Sequence, residues 1–298
     1  MSPAPSIPSA ASQPLVRFDL AQARDAFRRE AFVVAHNLAA HELFTLDRLA
    51  DLADRLPADV VEHNLGSVSA LEPGGAVPKL DLPPGEVVRG IEENGSWVAL
   101  PIMLADRELP GIPEYQALYN EVIDALAPIV PGGRAAMSGF HSVIFVASSG
   151  STTPSHLDGE IGFLLHVHGG KRLSIGRYAS AEREREELEA FHLRAHRNTG
   201  ELPVDVRHID LEPGAGVHVP PLTPHWVTTD AGLAISLSVG FQTPENLRRA
   251  GVYRFNARAR KLGLSPRPYG EHAERDRLKA GLVAGAAGAK RRLRRRVA

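Results

Sequence analysis

The feature that most constrains this chain is a run of short β-type segments that begins after Gly133. The segments lie at residues 138–147, 161–168, 171–178, 204–211, 216–219 and 233–241, and turn-forming residues separate them. Many short strands punctuated by turns are typical of a β-sandwich or β-barrel. The last segment alternates large apolar residues with small or polar ones. Its small face could line a cavity, or the strand could belong to a half-exposed sheet.

Helical patterns flank this β-rich region. Apolar residues recur at helical spacing in residues 19–30, 43–56, 115–129 and 245–262, and a charged helix is inserted at 181–197. We therefore predict a mainly β fold with flanking helices and one continuous core. The expected divisions are a disordered leader at 1–14, a helical N-terminal part packed on the barrel at 15–133, the barrel core at 134–244, a C-terminal helical segment at 245–280 and a flexible basic tail at 281–298.

The composition restricts the chemistry that the chain can perform. Its 298 residues include no cysteine, which excludes disulfides, thiol catalysis and cysteine-based zinc or iron–sulfur sites. Any metal must be held by His, Asp or Glu, and 13 histidines are present. The lack of cysteine fits a reducing compartment and predicts a cytoplasmic protein. The first residues lack the features of a signal peptide, and no stretch is long and apolar enough to cross a bilayer.

A candidate metal site begins with the H-x-D pair His156 and Asp158. Side chains two positions apart on a strand point to the same side, so these two can converge on one ion. A distant ligand, His225, follows a Gly turn, a short strand and the prolines of residues 220–224. These prolines stiffen the approach to His225. Two imidazoles and one carboxylate would leave part of the coordination sphere open, as non-haem iron oxygenases require.

A rival H-x-D pair, His208 and Asp210, is followed by no comparable histidine. His272 lies in a charged segment that we interpret as solvated. The isolated pair is therefore the weaker candidate. Four other histidines receive no ligand role: His141, His166, His168 and His218. Of these, His166 and His168 could serve as outer groups that face the barrel interior.

The residues around the first pair resemble a known family, the JmjC and cupin-like 2-oxoglutarate oxygenases, and in particular its asparaginyl-hydroxylase-like branch. Besides His156, Asp158 and His225, the resemblance includes Lys171, which lies 13 positions after Asp158 in a G-G-K-R stretch, and Thr153, three positions before the first histidine. It is most specific over residues 152–241. The resemblance implies that the barrel is a double-stranded β-helix of the cupin or jelly-roll type.

The resemblance also implies cofactors and a reaction. Iron(II) is expected on His156, Asp158 and His225, and Lys171 with Thr153 is expected to bind the far carboxylate of the cosubstrate 2-oxoglutarate. The physical logic agrees, since an unpaired buried carboxylate is very costly. With O2, such an enzyme hydroxylates a C–H bond of a protein side chain or small molecule and releases succinate and CO2. Two alternatives remain open: a cupin-type metalloenzyme that does not use 2-oxoglutarate, and a non-catalytic cupin-like regulatory or binding protein.

The ends and insertions of the chain suggest partners. Residues 290–296 contain six basic residues, and without them the net charge of -1 would become -1 - 6 = -7. This tail could contact nucleic acid or an anionic membrane, or could simply keep the protein in solution. The family resemblance implies that a homodimer could form through the helix at 245–262, because relatives often dimerise through C-terminal helices. The segments 60–97 and 181–198 are expected to shape the mouth of the barrel.

Overall fold

The structure is a computed structural model that describes residues 14–72, 80–193 and 197–297, with side chains described as far as residue 286. The predicted leader at residues 1–14 therefore lies outside the described residues, except for Pro14. None of the helices in these ranges combines the length and the hydropathy needed to cross a membrane.

Within the described ranges the chain forms strands, α-helices and short 3-10 turns. The strands are β1 Val16–Arg17, β2 Val33–His36, β3 Glu62–Leu65, β4 Ser96–Met103, β5 Ser138–Ala147, β6 Thr152–His156, β7 Ile161–His168, β8 Lys171–Arg177, β9 Val204–Leu211, β10 Ala215–Val219, β11 His225–Thr229 and β12 Ala234–Gln242. The helices are α1 Leu20–Ala26, α2 Leu46–Arg55, α3 Pro84–Arg89, α4 Pro113–Leu126, α5 Ala181–His192, α6 Pro244–Lys261 and α7 Ala273–Val297. The 3-10 turns are Leu38–Ala40, Glu42–Phe44, Ala127–Ile129 and Gly133–Ala136.

The strands form two antiparallel sheets. The large sheet has the order β1-β2-β10-β7-β12-β5-β4-β3, and the small sheet has the order β6-β11-β8-β9. From β5 to β12 the chain passes repeatedly between the sheets, so that each contains four of these eight strands. This winding is a double-stranded β-helix, which confirms the predicted jelly-roll fold.

The N-terminal part is less helical than predicted. Strands β1 and β2 extend the large sheet beside β10, and β3 and β4 extend it beside β5. Most side chains of β4 are buried on both faces, so this strand lacks the alternation that marks a half-buried strand. Residues 15–133 are therefore part of the large sheet as well as a helical layer packed on it.

Three groups of buried apolar side chains stabilise the fold. The largest lies between the large sheet and helices α1 to α4, and a second lies beneath the small sheet. The third, which we call the satellite cluster, joins Leu157 and Leu222 to Leu188 of α5 and Tyr253 of α6. This cluster connects both helices to the loops at the metal end of the barrel.

The turn between β7 and β8 requires glycine. Gly169 has a φ of +79°, and a Cβ at this position would overlap the carbonyl oxygen of Leu233. The turn sets the register in which Lys171, the first residue of β8, pairs with Thr229 of β11.

The C-terminal end of the described chain is helical. Helix α7 continues to Val297, where the sequence suggested a flexible tail at 281–298. Ala, Leu, Lys and Arg are strong helix formers and dominate this stretch, whereas the interpretation as a tail relied on its charge alone. The basic side chains of residues 290–296 lie beyond the side chains that the structure describes, so the predicted contact with nucleic acid or membrane stays a prediction.

Candidate metal centre and its cavity

The predicted His-Asp-His set lies together at one end of the small sheet. His156 ends β6 and His225 begins β11, and the two are direct partners in the antiparallel ladder. Asp158 follows two residues after His156, and its Oδ2 lies 3.8 Å from His156 Nε2 and 3.6 Å from His225 Nε2. The three ligand atoms all lie within 4.8 Å of one another, which is a spacing that one metal ion can bridge. Among the described residues, no other group of His, Asp and Glu meets this criterion.

Backbone carbonyls hold both imidazoles in the ligand orientation. His156 Nδ1 lies 2.7 Å from the carbonyl oxygen of Pro154, and His225 Nδ1 lies 2.9 Å from that of Thr223. Because a carbonyl can only accept, each Nδ1 must carry the proton and donate it. Each Nε2 then has a free lone pair directed at the cluster, which is the usual arrangement of metal-binding histidines.

The charges at the cluster also suit a metal. Burial lowers the pKa of both imidazoles, and nearby Arg197 adds to the effect on His156, so both stay neutral. Burial disfavours ionisation of Asp158, but the charge of Arg197 and its hydrogen bond oppose this effect, and the pKa of the carboxyl lies below its usual range. Neutral imidazoles and an ionised carboxylate are the forms that bind metal ions. The donor set therefore fits iron(II).

Arg197 determines which oxygen of the Asp158 carboxylate faces the two histidines. Its guanidinium donates to Asp158 Oδ1 at 2.8 Å, which leaves Oδ2 to face the two histidines. The backbone of the same residue accepts a hydrogen bond from Leu157 N–H at 3.1 Å. The segment that follows α5 thus fixes the carboxylate through both side chain and backbone, and favours coordination through one oxygen.

The cluster opens into a cavity of about 680 Å³ between the two sheets. The inner wall includes Lys171 and Thr153, the two residues predicted to bind the cosubstrate. The lining also includes side chains from both segments that were expected to shape the mouth: Val60, Glu62, Trp97, Phe191, His192 and Arg197.

The positions of these side chains follow from the register of the small sheet. His225, Val227 and Thr229 alternate along β11 and all line the cavity, and Thr229 is paired with Lys171. Thr153 is paired with Val227 and so lies between the level of the metal ligands and that of Lys171. Four residues of strand span about 13 Å, which leaves room for a small dianion between the metal cluster and the lysine.

Lys171 is an unusual buried cation. It is only 5% exposed, and burial lowers the pKa of its ammonium group to about 8. Among the described residues no carboxylate forms an ion pair with it. A buried lysine without a counter-ion is costly, so the geometry favours an anionic ligand in this part of the cavity.

The rival pair lies elsewhere. His208 and Asp210 lie on the exposed face of β9, where Arg172 binds Asp210 and His208 Nδ1 lies 2.8 Å from Ser174 Oγ. His272 is exposed after α6. None of these side chains belongs to the cluster.

The remaining histidines are resolved by their contacts. His166 is buried between Ser236 Oγ and the carbonyl oxygen of Gly169, and does not line the cavity. His168 is exposed. His218 donates to the carbonyl oxygen of Gly162 and packs against three phenylalanines, so its role is structural.

Three residues near the cluster were missed or left unassigned by the sequence reasoning: Arg197, Glu160 and His141. All three line the cavity. Burial, followed by the charge of Asp158, raises the pKa of Glu160 to about 7, and burial lowers the pKa of His141. A charged residue near the H-x-D pair was the only available signal for Glu160, whereas Arg197 is brought to Asp158 by tertiary structure.

Residues 134–248 match the family model of the JmjC domain. This is the family that the residues around His156 and Asp158 resemble in sequence. No curated protein sequence gives a significant match. Among solved structures, Escherichia coli YcfD is 17% identical with a TM-score of 0.48, covering 91% of this chain and 68% of that one. A second structure of YcfD, described as a ribosomal oxygenase in complex with cobalt and 2-oxoglutarate, is 17% identical with a TM-score of 0.44, and the match covers 88% of this chain and 64% of that one.

A 2OG-Fe(II) oxygenase-family oxidoreductase from Burkholderia pseudomallei is 15% identical with a TM-score of 0.44, covering 76% of this chain and 91% of that one. All three likenesses are too distant to support an argument about activity.

Proposed function

We propose that this chain, whose residues 134–248 form a JmjC domain, is an iron(II)- and 2-oxoglutarate-dependent oxygenase. The observation that carries the proposal is the combination of two features in one cavity. A His-Asp-His cluster with free Nε2 lone pairs lies at one end, and the buried cation of Lys171 lies further in. A metal alone would explain the first feature and leave the second unexplained.

The residues of the chain would divide the work as follows. His156, Asp158 and His225 would hold iron(II) on one side and leave the opposite side open to the cavity. Lys171 would neutralise the far carboxylate of 2-oxoglutarate, and the hydroxyl of Thr153 would donate to it. When bound, iron(II) and 2-oxoglutarate would supply the activation of dioxygen, with succinate and CO2 as coproducts.

The cavity walls would position the substrate and exclude water. Apolar side chains such as Leu104 and Phe191 line the cavity together with the polar groups of Glu160 and His141. This mixed lining suits a protein side chain or a small molecule with one unactivated C–H bond directed at the metal. Cytoplasmic location, a homodimer through α6 and an anionic partner for the end of α7 belong to the proposal as further expectations.

The test is formation of succinate from 2-oxoglutarate by the full chain with iron(II) and O2, together with calorimetry of 2-oxoglutarate on the Mn²⁺-loaded chain. The wild type should bind and turn over the cosubstrate. His225→Ala should lose metal affinity, whereas Lys171→Ala should keep the metal and lose 2-oxoglutarate affinity.

The outcomes separate the alternatives. Metal binding without 2-oxoglutarate binding would favour a cupin-type metalloenzyme of another class. Absence of both would favour a non-catalytic binding protein, and would overturn the proposal.

A further inference from the structure

The loop between β10 and β11 contains a residue in a conformation that L-amino acids rarely adopt. Leu222 has a φ of +63°, in the left-handed region that favours glycine. It is only 5% exposed, and Pro220, Pro221 and Pro224 surround it in the chain. A strained residue that persists in a rigid, buried turn must be held there by its surroundings, and such residues concentrate at functional sites.

The turn contacts two of the three metal-ligand candidates through its backbone. Leu222 N–H donates to the carbonyl oxygen of Asp158 at 2.7 Å. The carbonyl oxygen of the next residue, Thr223, accepts from Nδ1 of His225 at 2.9 Å. Two successive residues of the turn therefore fix the backbone of one ligand and the ring orientation of another.

The side chain of Leu222 packs against the same region. It belongs to the satellite cluster, whose other members include Leu157, the residue between His156 and Asp158. Leu188 of α5 and Tyr253 of α6 complete the buried part of this cluster. The strained turn and the H-x-D segment are thus packed as one unit.

Two hydrogen bonds from the end of β8 and the residue after it hold this unit in place, and each is donated to a carbonyl oxygen of the turn. The hydroxyl of Tyr178, which directly follows β8, donates to the carbonyl oxygen of Leu222 at 3.2 Å. Gly176 N–H donates to the carbonyl oxygen of Pro224 at 3.2 Å. Burial raises the pKa of the Tyr178 hydroxyl, so it remains a donor across the physiological range.

We propose that Tyr178 is a positioning residue for the metal centre. By holding the left-handed turn at Leu222, it sets the distance between Asp158 and His225, although it is not itself a metal ligand. The proposal rests on the proposed metal site, and it assigns to Tyr178 and Leu222 a role that no ligand motif includes.

The test is Tyr178→Phe in the full chain, with Mn²⁺ alone as the probe and calorimetry or competition with a chelator as the assay. The dissociation constant for Mn²⁺ should rise about threefold to tenfold, which is the range expected for losing one buried hydrogen bond that supports the site. The absorption spectrum of the Co²⁺-loaded variant should also change, since it reports ligand geometry rather than stability.

Tyr115→Phe is the matched control. Its hydroxyl donates to the carbonyl oxygens of Leu43 and Arg48 at 3.1 and 3.0 Å, in the helical layer that packs on the large sheet. This variant should lose stability to a similar or greater extent but keep the wild-type affinity for Mn²⁺. An unchanged dissociation constant in Tyr178→Phe, or an equal rise in both variants, would overturn the positioning role.

A second measurement covers the case in which Tyr178→Phe folds poorly. Amide hydrogen exchange of Leu222 in the wild type should slow when Mn²⁺ binds, because the metal holds Asp158 and so the acceptor of this N–H. If Mn²⁺ leaves the exchange rate of the Leu222 amide unchanged, the proposed coupling between the turn and the metal centre is refuted. If the wild type binds no metal at all, the proposed function fails instead.

Discussion

Replacement of Lys171 by methionine should raise the stability of the protein and abolish its response to 2-oxoglutarate. Methionine has a similar length and volume, and removes the charge without opening a large gap. Lys171 is 5% exposed, and burial lowers the pKa of its ammonium group from 10.5 to about 8. The charged form is therefore penalised in the folded chain but not in the unfolded one.

The size of the stability difference follows from the linkage between the protonation of Lys171 and folding. A difference of about 2.5 pKa units corresponds to about 3 kcal/mol, at 1.36 kcal/mol for each unit. Because the folded-state pKa is the lower one, the full penalty applies below pH 8 and disappears as the pH rises through 10.5. At pH 7, Lys171→Met should be up to about 3 kcal/mol more stable than the wild type without cosubstrate, and the difference should vanish near pH 11.

The assay is urea unfolding at pH 7 and at high pH, with and without 2-oxoglutarate on the Mn²⁺-loaded chain. The wild type should gain about 2.7 kcal/mol at a cosubstrate concentration of 100 times the dissociation constant, whereas Lys171→Met should gain nothing. Lys279 supplies the control, because it is also buried but donates to the carbonyl oxygen of Arg267 at 2.7 Å. Lys279→Met should be destabilised and keep its response to 2-oxoglutarate. A destabilised Lys171→Met that still responds to 2-oxoglutarate would refute the reasoning.

Asp158→Ala should abolish tight binding of Mn²⁺ in calorimetry, while His208→Ala should leave it unchanged, because only the first residue belongs to the cluster. The affinity for 2-oxoglutarate should fall about tenfold for each pH unit above about 8, since the free chain loses the proton of Lys171 there; a flat profile up to pH 9.5 would contradict this role. Gly169→Ala should cost about 1–3 kcal/mol in urea unfolding, because its Cβ would overlap a carbonyl oxygen. Gly232→Ala has a similarly positive φ but open space around the Cβ, so it should cost less, and equal losses would exclude the overlap as the cause.

The barrel could be predicted because its strands are short and separated by strong turn signals. All six predicted segments overlap strands of the double-stranded β-helix almost end to end, as in β7, β9 and β12. The sequence did not indicate that β3 and β4 extend the large sheet, because pairing between strands distant in sequence leaves no local signal. The helical course of α7 as far as Val297 was not expected, because the charge of residues 281–298 was weighed above their helix propensity.

The candidate site was partly predictable for a related reason. The H-x-D spacing indicated that His156 and Asp158 lie together, although Asp158 lies two residues beyond the end of β6 rather than on the strand. The turn and prolines before His225 indicated the third ligand candidate, and the family resemblance added Lys171. Arg197 could not be predicted, because it reaches Asp158 across 39 residues of sequence. Its position depends on the packing of α5, and no local pattern in the sequence specifies that packing.

Two departures from local rules lie in the cavity or beside its ligand candidates. Lys171 is a buried cation without a carboxylate partner among the described residues, and Leu222 has a backbone conformation that suits glycine. A sequence selected for stability alone would avoid both features, so their survival indicates that each serves the site. By contrast, His208 and Asp210 lie on an exposed strand, where Arg172 pairs with Asp210 and Ser174 Oγ lies 2.8 Å from His208 Nδ1. The two H-x-D pairs are alike in sequence, but only His156 and Asp158 line the cavity that also contains the buried cation of Lys171.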